Sequence, residues 1–405
     1  MFIPDYVKKV TDAIEEAGEK AYPVGGCVRD GIMGKTPDDY DIAVSCPPQK
    51  TEELLHGFRI IETGIKHGTV TAVSDGHNIE ITTFRVDGAY RDNRHPEGVV
   101  FTDDIIADLS RRDFTVNAIA YSVSDGYIDP FGGQADIRNG VIRCVGEPDR
   151  RFTEDALRIV RGMRFASALG FTVEKNTAES MIKNRSLLKN IAGERIFAEL
   201  KKLLVGKNAA DVLTRFADIV STLFPETAAM SDGEMRRHIG SVRGASCPET
   251  AFAALFFGVE SEKTAAVLER LKTDGAFRDT VLLLGASCRE YDSRSACLCG
   301  GEKGKTAYFR IFCGKYGERM TLLLTELLRL MRGCSDAAAE KFIADGCVGS
   351  ISPKNLRVDG RDLSKLGFKG ERIGSALDFL VTLVALGEVP NEKNALILRL
   401  NECRD

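Results

Sequence analysis

The chain has 405 residues, 43% of them hydrophobic and 28% charged, the balance of a globular protein rather than of a disordered or fibrous one. That length exceeds what one hydrophobic core serves, so roughly two to four domains are expected. A net charge of −4 excludes nucleic-acid binding through bulk basicity and leaves only a local basic surface for such a role.

The eleven cysteines form no C-x-x-C pair, and the closest two are Cys297 and Cys299. This fits a reducing compartment better than a disulfide framework or a zinc site. The opening MFIPDYVKKV lacks the apolar run of a signal peptide, and the longest apolar runs are too short to span a bilayer. A cytoplasmic protein without a membrane partner is expected.

In chain order, residues 1–20 read as an amphipathic helix. Short strands follow at Ala21–Val24, Asp41–Val44, Phe58–Glu62, Thr69–Val73 and Ile79–Phe84, the last three separated by turns at Gly64–Gly68 and Asp75–Asn78. Helical signals lie between Cys27 and Met33 and between Gln49 and Gly57. The first ~140 residues are therefore mixed α and β. From Phe152 onward helical periodicity dominates: Ala198–Leu204, Ala209–Phe216, Glu249–Phe257, Ala265–Leu271, Leu322–Met331 and Ile373–Leu386. Irregular chain is expected at Pro225–Gly233, Arg289–Gly304 and Gly346–Asn355. The fold class is α+β: a mixed head followed by an all-helical remainder.

Three stretches carry chemistry. The first is GGCVRDGIMGKTPDDYDIAV, Gly25–Val44. Asp39 and Asp41, two apart on a strand, point to one side and can share divalent cations. Mg²⁺ suits one or two carboxylates plus substrate phosphates. A turn capping the strand is the plainer reading of P-D-D-Y-D alone. The paired Gly25-Gly26 lets the backbone approach a triphosphate, and Arg29 with helix amides can bind its oxygens. Glu80, on the alternating strand Ile79–Phe84, is a candidate third carboxylate or simply a solvent-facing one.

The second is RRDFTVNAIAY, Arg111–Tyr121. Arg111, Arg112 and Asp113 precede an apolar helix expected to begin near Phe114–Thr115. Arginines disfavour the positive end of a helix dipole, so they make more sense facing phosphate. The third is FTEDALRIVRGMRFA, Phe152–Ala166, where Thr153 caps a helix with the stripe Ala156, Ile159, Val160, Met163 and Ala166. Asp155 and Arg158 share another face, followed by Arg161 and Arg164. A surface pair between Glu154 and Arg158 accounts for one of these arginines, not for three spaced by three.

Together with DPFGG, Asp129–Gly133, these motifs resemble the bacterial CCA-adding enzymes. These are class II tRNA nucleotidyltransferases of the polymerase β superfamily, relatives of bacterial poly(A) polymerases. The likeness continues through GERIFAEL, Gly193–Leu200, and LRVDGRDLSKLGFKGERIG, Leu356–Gly374. It implies a nucleotidyltransferase head over 1–145, a helical neck over 146–205, a body over 206–320 and a tRNA-binding tail over 321–405. The implied reaction is template-independent addition of CMP, CMP and AMP to the tRNA 3′ end, with CTP and ATP as substrates. Poly(A) polymerases and enzymes adding only part of CCA share these motifs, and an inactive RNA-binding relative is the alternative of another class.

In the family the D-x-D carboxylates hold two Mg²⁺ ions, so the resemblance puts Asp39 and Asp41 at the metals with Glu80 beside them. It gives the triphosphate to Gly25, Gly26 and Arg29, and ribose and phosphate to Arg111, Arg112, Asp113 and Asn117. Base reading falls to Asp155 and Arg158 of the E-D-x-x-R helix, with Arg161 and Arg164 as further nucleotide-binding residues. A carboxylate accepts from the exocyclic amino group that cytosine and adenine both carry, and a guanidinium donates to the neighbouring ring nitrogen. The implied partner is tRNA, held at its 3′ end and elbow. In the tail, GFKG among Arg357, Arg361, Lys365, Lys369 and Arg372 can bind RNA phosphate, or can be an ordinary solvated loop.

Two further segments complete the reading. GEKGKT, Gly301–Thr306, lacks the first glycine of a phosphate-binding loop, Cys299 standing in its place. TFRVDGAYRDNRHPEGVVF, Thr83–Phe101, is polar without periodicity and reads as a mobile loop. The resemblance gives that loop a part in the switch from C to A.

Overall fold

The computed structural model describes residues 1–61, 68–88 and 99–403, in two compact units that divide after Pro225. The first unit begins with helix α1, Asp5–Glu15, which buries Val7, Val10 and Ile14. Strand β1, Ala21–Pro23, leads into helix α2, Gly26–Ile32, and strand β2 spans Asp41–Val44. Helix α3, Pro48–Leu54, precedes strands β3, Arg59–Ile61, β4, Thr69–Ser74, and β5, His77–Thr83. All five expected strands are present, within a residue or two of their expected ends; Glu62 and most of the Gly64–Gly68 turn fall outside the described residues.

These strands form one sheet in the order β1-β2-β5-β4-β3, in which only β2 and β5 run parallel. Helices α1 and α3 pack on it, and the alternation along β5 buries Ile79 and Ile81 while Glu80 stays exposed. The β2–β5 register sets Asp41 directly beside Glu80. Asp39 lies in the loop just before β2 rather than on the strand itself.

The expected irregular stretch after β5 begins and ends in regular structure. Strand β6, Arg85–Asp87, pairs antiparallel with strand β7, Val99–Phe101, and residues 89–98 between them fall outside the described residues. Helix α4 covers Ile105–Ser110. The apolar helix expected from Phe114 does not form. Instead Phe114 bridges to Cys144, a single 3₁₀ turn covers Thr115–Asn117, and strand β8, Ala120–Ser122, pairs with β9, Gly126–Ile128. The reason is tertiary: Val24 recruits Ala120 as a ladder partner, and the Thr115 hydroxyl donates to Asp136 at 2.7 Å.

DPFGG serves helix α5, Gly133–Asn139. The Asp129 carboxylate accepts from the amides of Gly133 and Gln134 at 2.7 and 2.9 Å, which caps the helix. Gly132 takes the left-handed φ of 74°. A Cβ on Gly133 would lie 2.2 Å from the Thr115 carbonyl oxygen.

Strand β10, Val141–Ile142, then helix α6, Pro148–Glu154, and helix α7, Leu157–Leu169, follow. Thr153 does not cap α7. It is the penultimate residue of α6, its hydroxyl donating back to the carbonyls of Asp149 and Arg150. Asp155 leaves the helix at φ −141°, and its own carboxylate accepts from the Leu157 amide at 3.1 Å. The stripe of Ala156, Ile159, Val160, Met163 and Ala166 is buried, as its spacing predicts. Strand β11, Thr172–Val173, and helices α8, Lys175–Lys183, and α9, Gly193–Leu204, come next, and α9 packs along α7. These elements all belong to the one compact unit that ends at Pro225.

The second unit is helical. Its longest helix, Gly275–Cys297, contacts Pro248–Leu255, Ser261–Arg270, Gly301–Tyr316 and Glu318–Arg332. It runs through most of Arg289–Gly304, where irregular chain is expected, because Tyr291 and Ser295 face inward. The fully buried Tyr291 donates to Asp336 at 2.9 Å. Among the described residues no helix is long and apolar enough to cross a membrane, and all eleven cysteines are free.

Gly133→Ala is expected to cost ~1–3 kcal/mol through overpacking against Thr115 and Ile119. Gly57→Ala, where no atom lies within 4 Å of the added carbon, serves as the control. Chemical denaturation of both variants checks this.

Candidate active site

A cavity of about 620 Å³ opens in the first unit. Its wall brings together Gly25, Gly26, Arg29, Asp39, Asp41, Arg111, Arg112, Asp113, Asn117, Asp155, Arg158, Arg161 and Arg164. Glu80 lines a smaller neighbouring cavity of about 210 Å³, which shares Asp41, Arg111 and Arg112 with the first. Segments more than 120 residues apart thus converge on one hollow.

Gly25, at φ 78° and ψ −122°, precedes α2 in a conformation that a side chain resists. Its amide donates to the Ile119 carbonyl, and an added Cβ would meet Arg112 at 3.1 Å. Arg29, one turn into α2, donates to Asp30 at 2.9 Å and to the Asn117 side-chain oxygen at 2.7 Å. Asn117 contacts the Asp113 carboxylate at 3.4 Å. Asp113 takes the Arg161 guanidinium at 2.7 Å, and Arg161 with Arg164 shares Glu199 of α9 at 3.4 and 2.5 Å. Burial works to raise the Asp113 carboxyl, but Arg161 and then Arg158 outweigh it and hold the group below its ordinary value.

Arg111 and Arg112 are held from beneath by Asp108, which is buried, at 2.7 and 3.2 Å. Arg112 Nε is buried and has no partner among the described residues. The pair between Glu154 and Arg158 does form, at 2.9 Å, but in the interior rather than at the surface. Arg158 also donates to the carbonyls of Arg151 and Arg111. Asp155 is steadied by Arg195 of α9 at 2.9 Å.

Residues 21–143 match the poly A polymerase head domain, and residues 170–230 match the family described as "Probable RNA and SrmB- binding site of polymerase A". The CCA-adding enzyme of Lactiplantibacillus plantarum is 34% identical over 96% of this chain and 94% of its own length. The chain belongs to the CCA-adding enzyme family. The Streptococcus suis CCA-adding enzyme is 36% identical over 96% of this chain and 94% of its own. The crystal structure of the Bacillus stearothermophilus CCA-adding enzyme in complex with CTP superimposes with a TM-score of 0.81 at 29% identity, covering 100% of this chain and 99% of that one.

Several cavity residues of this family member are not evident in the sequence alone. Phe165 and Lys202 line the wall, and Asp108, Arg195 and Glu199 hold the wall's charges from behind. Asp108 carried a signal, since it stands three and four residues before the two arginines on one helix turn. Cys27 also lines the cavity, but burial pushes its thiol up to about 11 and keeps it protonated.

The Asp41 side chain is exposed toward the cavity, yet the protein closing around it pushes its carboxyl up, and Glu80 and Asp39 add to this against Arg112. A carboxyl raised in the fold subtracts stability above its folded pKa, and the penalty fades as pH falls through that value. Asp41→Asn is therefore expected to raise Tm at neutral pH in chelator-treated buffer. Solvent screening keeps the gain to about 1–2 °C. The gain should vanish on acidification toward the ordinary carboxylate range. Thermal melts of both proteins between neutral and acid pH check the sign.

Proposed function

We propose that this chain extends the 3′ end of tRNA with CMP, CMP and AMP, without a template and with release of pyrophosphate. The observation that carries the reading is the single cavity in which the D-x-D pair, the glycine-flanked Arg29 and the Asp155–Arg158 pair stand together. The tRNA 3′-hydroxyl attacks the α-phosphorus, the bond from that phosphorus to the bridging oxygen breaks, and pyrophosphate leaves.

Asp39 and Asp41 offer hard oxygen ligands; burial raises the Asp41 carboxyl first, and the carboxylate crowding from Glu80 and Asp39 that adds to it is what a dication relieves. Among the described residues no three side chains form a ready-made metal cage, so the remaining ligands would be substrate phosphates and water. Two Mg²⁺ ions held there would supply charge neutralisation and a more acidic attacking hydroxyl. Gly25, Gly26 and Arg29 receive the triphosphate. Arg111 and Arg112 face the ribose and phosphates, and the unpartnered Arg112 Nε marks where an anion is wanted. Asn117 and Asp113 orient Arg29 and Arg161.

Base choice follows from hydrogen-bond capacity. A carboxylate accepts about four bonds, and Asp155 receives Arg195 and the Leu157 amide, so it can also accept from an exocyclic amino group. Arg158 has five N–H groups and uses three on Glu154 and two carbonyls, leaving donors for a ring nitrogen. Cytosine and adenine fit this pair. Uracil sets a donor against a donor, at roughly 1–3 kcal/mol per unmet group.

In the second unit, Arg357, Arg361, Lys365, Lys369 and Arg372 are all exposed, and none forms an ion pair among the described residues. They supply the local basic surface that an acidic protein needs to hold tRNA.

The test is single-nucleotide extension of tRNA transcripts ending before CCA, after C and after CC, with Mg²⁺. The wild type should add CMP twice and then AMP. Asp39→Ala and Asp41→Ala should stop transfer while tRNA binds within a few-fold. Asp155→Ala and Arg158→Ala should admit UMP, roughly ten- to hundredfold above the wild type. AMP runs on every transcript would indicate a poly(A) polymerase instead.

A further inference from the structure

Phe165, on α7, is 6% exposed and forms part of the cavity wall. Three guanidiniums face its ring: Arg164 at 3.8 Å from the centroid, Arg161 at 5.4 Å and Arg29 at 5.6 Å. They come from two elements, Arg29 from α2 behind the paired glycines and the other two from α7. Like charges so close repel one another. Asp30 pairs with Arg29, Asp113 with Arg161, and Glu199 with both Arg161 and Arg164, so the aromatic ring is the one partner among these that all three share. A ring offers cations a negative face, and an aliphatic side chain of the same bulk does not.

The ring's place is set by the core. It meets Phe114 edge-on at 5.8 Å and 75°, and Phe114 is fully buried. Gly162, one turn earlier, lets α7 approach that ring, since a Cβ there would lie 3.0 Å from it. Phe165 is therefore anchored from behind and presents its face to the arginines.

We propose that Phe165 is a positioning residue for nucleotide transfer, its ring face setting the spacing between Arg29 and the helix that begins beside Asp155 and carries Arg158. The proposal rests on the reading of the cavity given above, with Arg29 at the triphosphate and α7 at the base. Acting through arginines rather than on the base, Phe165 serves CTP and ATP alike.

The experiment replaces Phe165 by mono-, di- and trifluorophenylalanine, which keep the ring's shape and progressively cancel its negative face. Phe165→Leu removes the face altogether. Steady-state CMP addition to tRNA lacking CCA, and AMP addition to tRNA ending in CC, are measured beside Tm and the KM for tRNA. The expected result is a stepwise rise of about three- to tenfold in the KM for CTP and for ATP together. In the fluorinated series kcat at saturation and the KM for tRNA stay level, while Tm falls by at most a few degrees because the same ring steadies the arginines before nucleotide binds. A flat nucleotide KM across the series overturns the proposal. So does a loss of kcat that tracks fluorine count, or a rise confined to one nucleotide. A wild-type protein that adds neither nucleotide overturns the underlying reading, and the proposal with it.

Discussion

A buried aspartate and an arginine 48 residues further along hold this site in shape. Asp113 belongs to the segment that follows the sheet, Arg161 to the helix after Asp155. Removing Arg161 strands the Asp113 carboxylate in the interior, at a cost of up to ~3–5 kcal/mol, whereas Arg161 is partly open to the cavity and also has Glu199. From this pair the contacts run outward in both directions. One path passes through Asn117 to Arg29 and the glycine turn, the other through Glu199 to Arg164 and helix α9. The Arg29 end and the Arg164 end of the cavity wall are thus spaced by one continuous set of charge-assisted bonds.

This arrangement explains how an acidic chain can carry so many arginines in one cavity. Arg29, Arg111, Arg158, Arg161 and Arg164 each have a carboxylate partner, set beside or behind them. The carboxylates fix the guanidiniums in place before any substrate arrives, so little ordering cost falls on binding. The same logic reverses at Asp39, Asp41 and Glu80, where burial raises Asp41 and the crowded acidic groups add to it. Cations are stabilised in advance along the wall that runs from Arg29 to Arg164, and negative charge is left unrelieved around Asp41.

Much of this was legible in the sequence, because the reacting groups sit in short local patterns. D-Y-D leading into an apolar strand, a glycine pair before Arg29 and the arginine ladder after Asp155 each announce themselves. What was not legible is the partnering. Glu199, Arg195 and Phe165 act through contacts that only the fold creates, and nothing in the spacing of Glu199 names Arg161. The missed elements have the same cause. Phe114–Tyr121 has helical composition, yet Val24 and Cys144 draw it into bridges. The polar outer face of Gly275–Cys297 reads as loop until Tyr291 and Ser295 are seen pointing inward.

The measurement that bears most directly on this account is a double-mutant cycle on Asp113→Asn and Arg161→Gln, read in kcat/KM for CMP addition. If the pair is the keystone, each single variant loses most of the activity. The double variant is then no worse than the poorer single, a coupling of ~2 kcal/mol or more. Losses that multiply in the double variant would contradict it, because the two ends of the cavity would then be held independently.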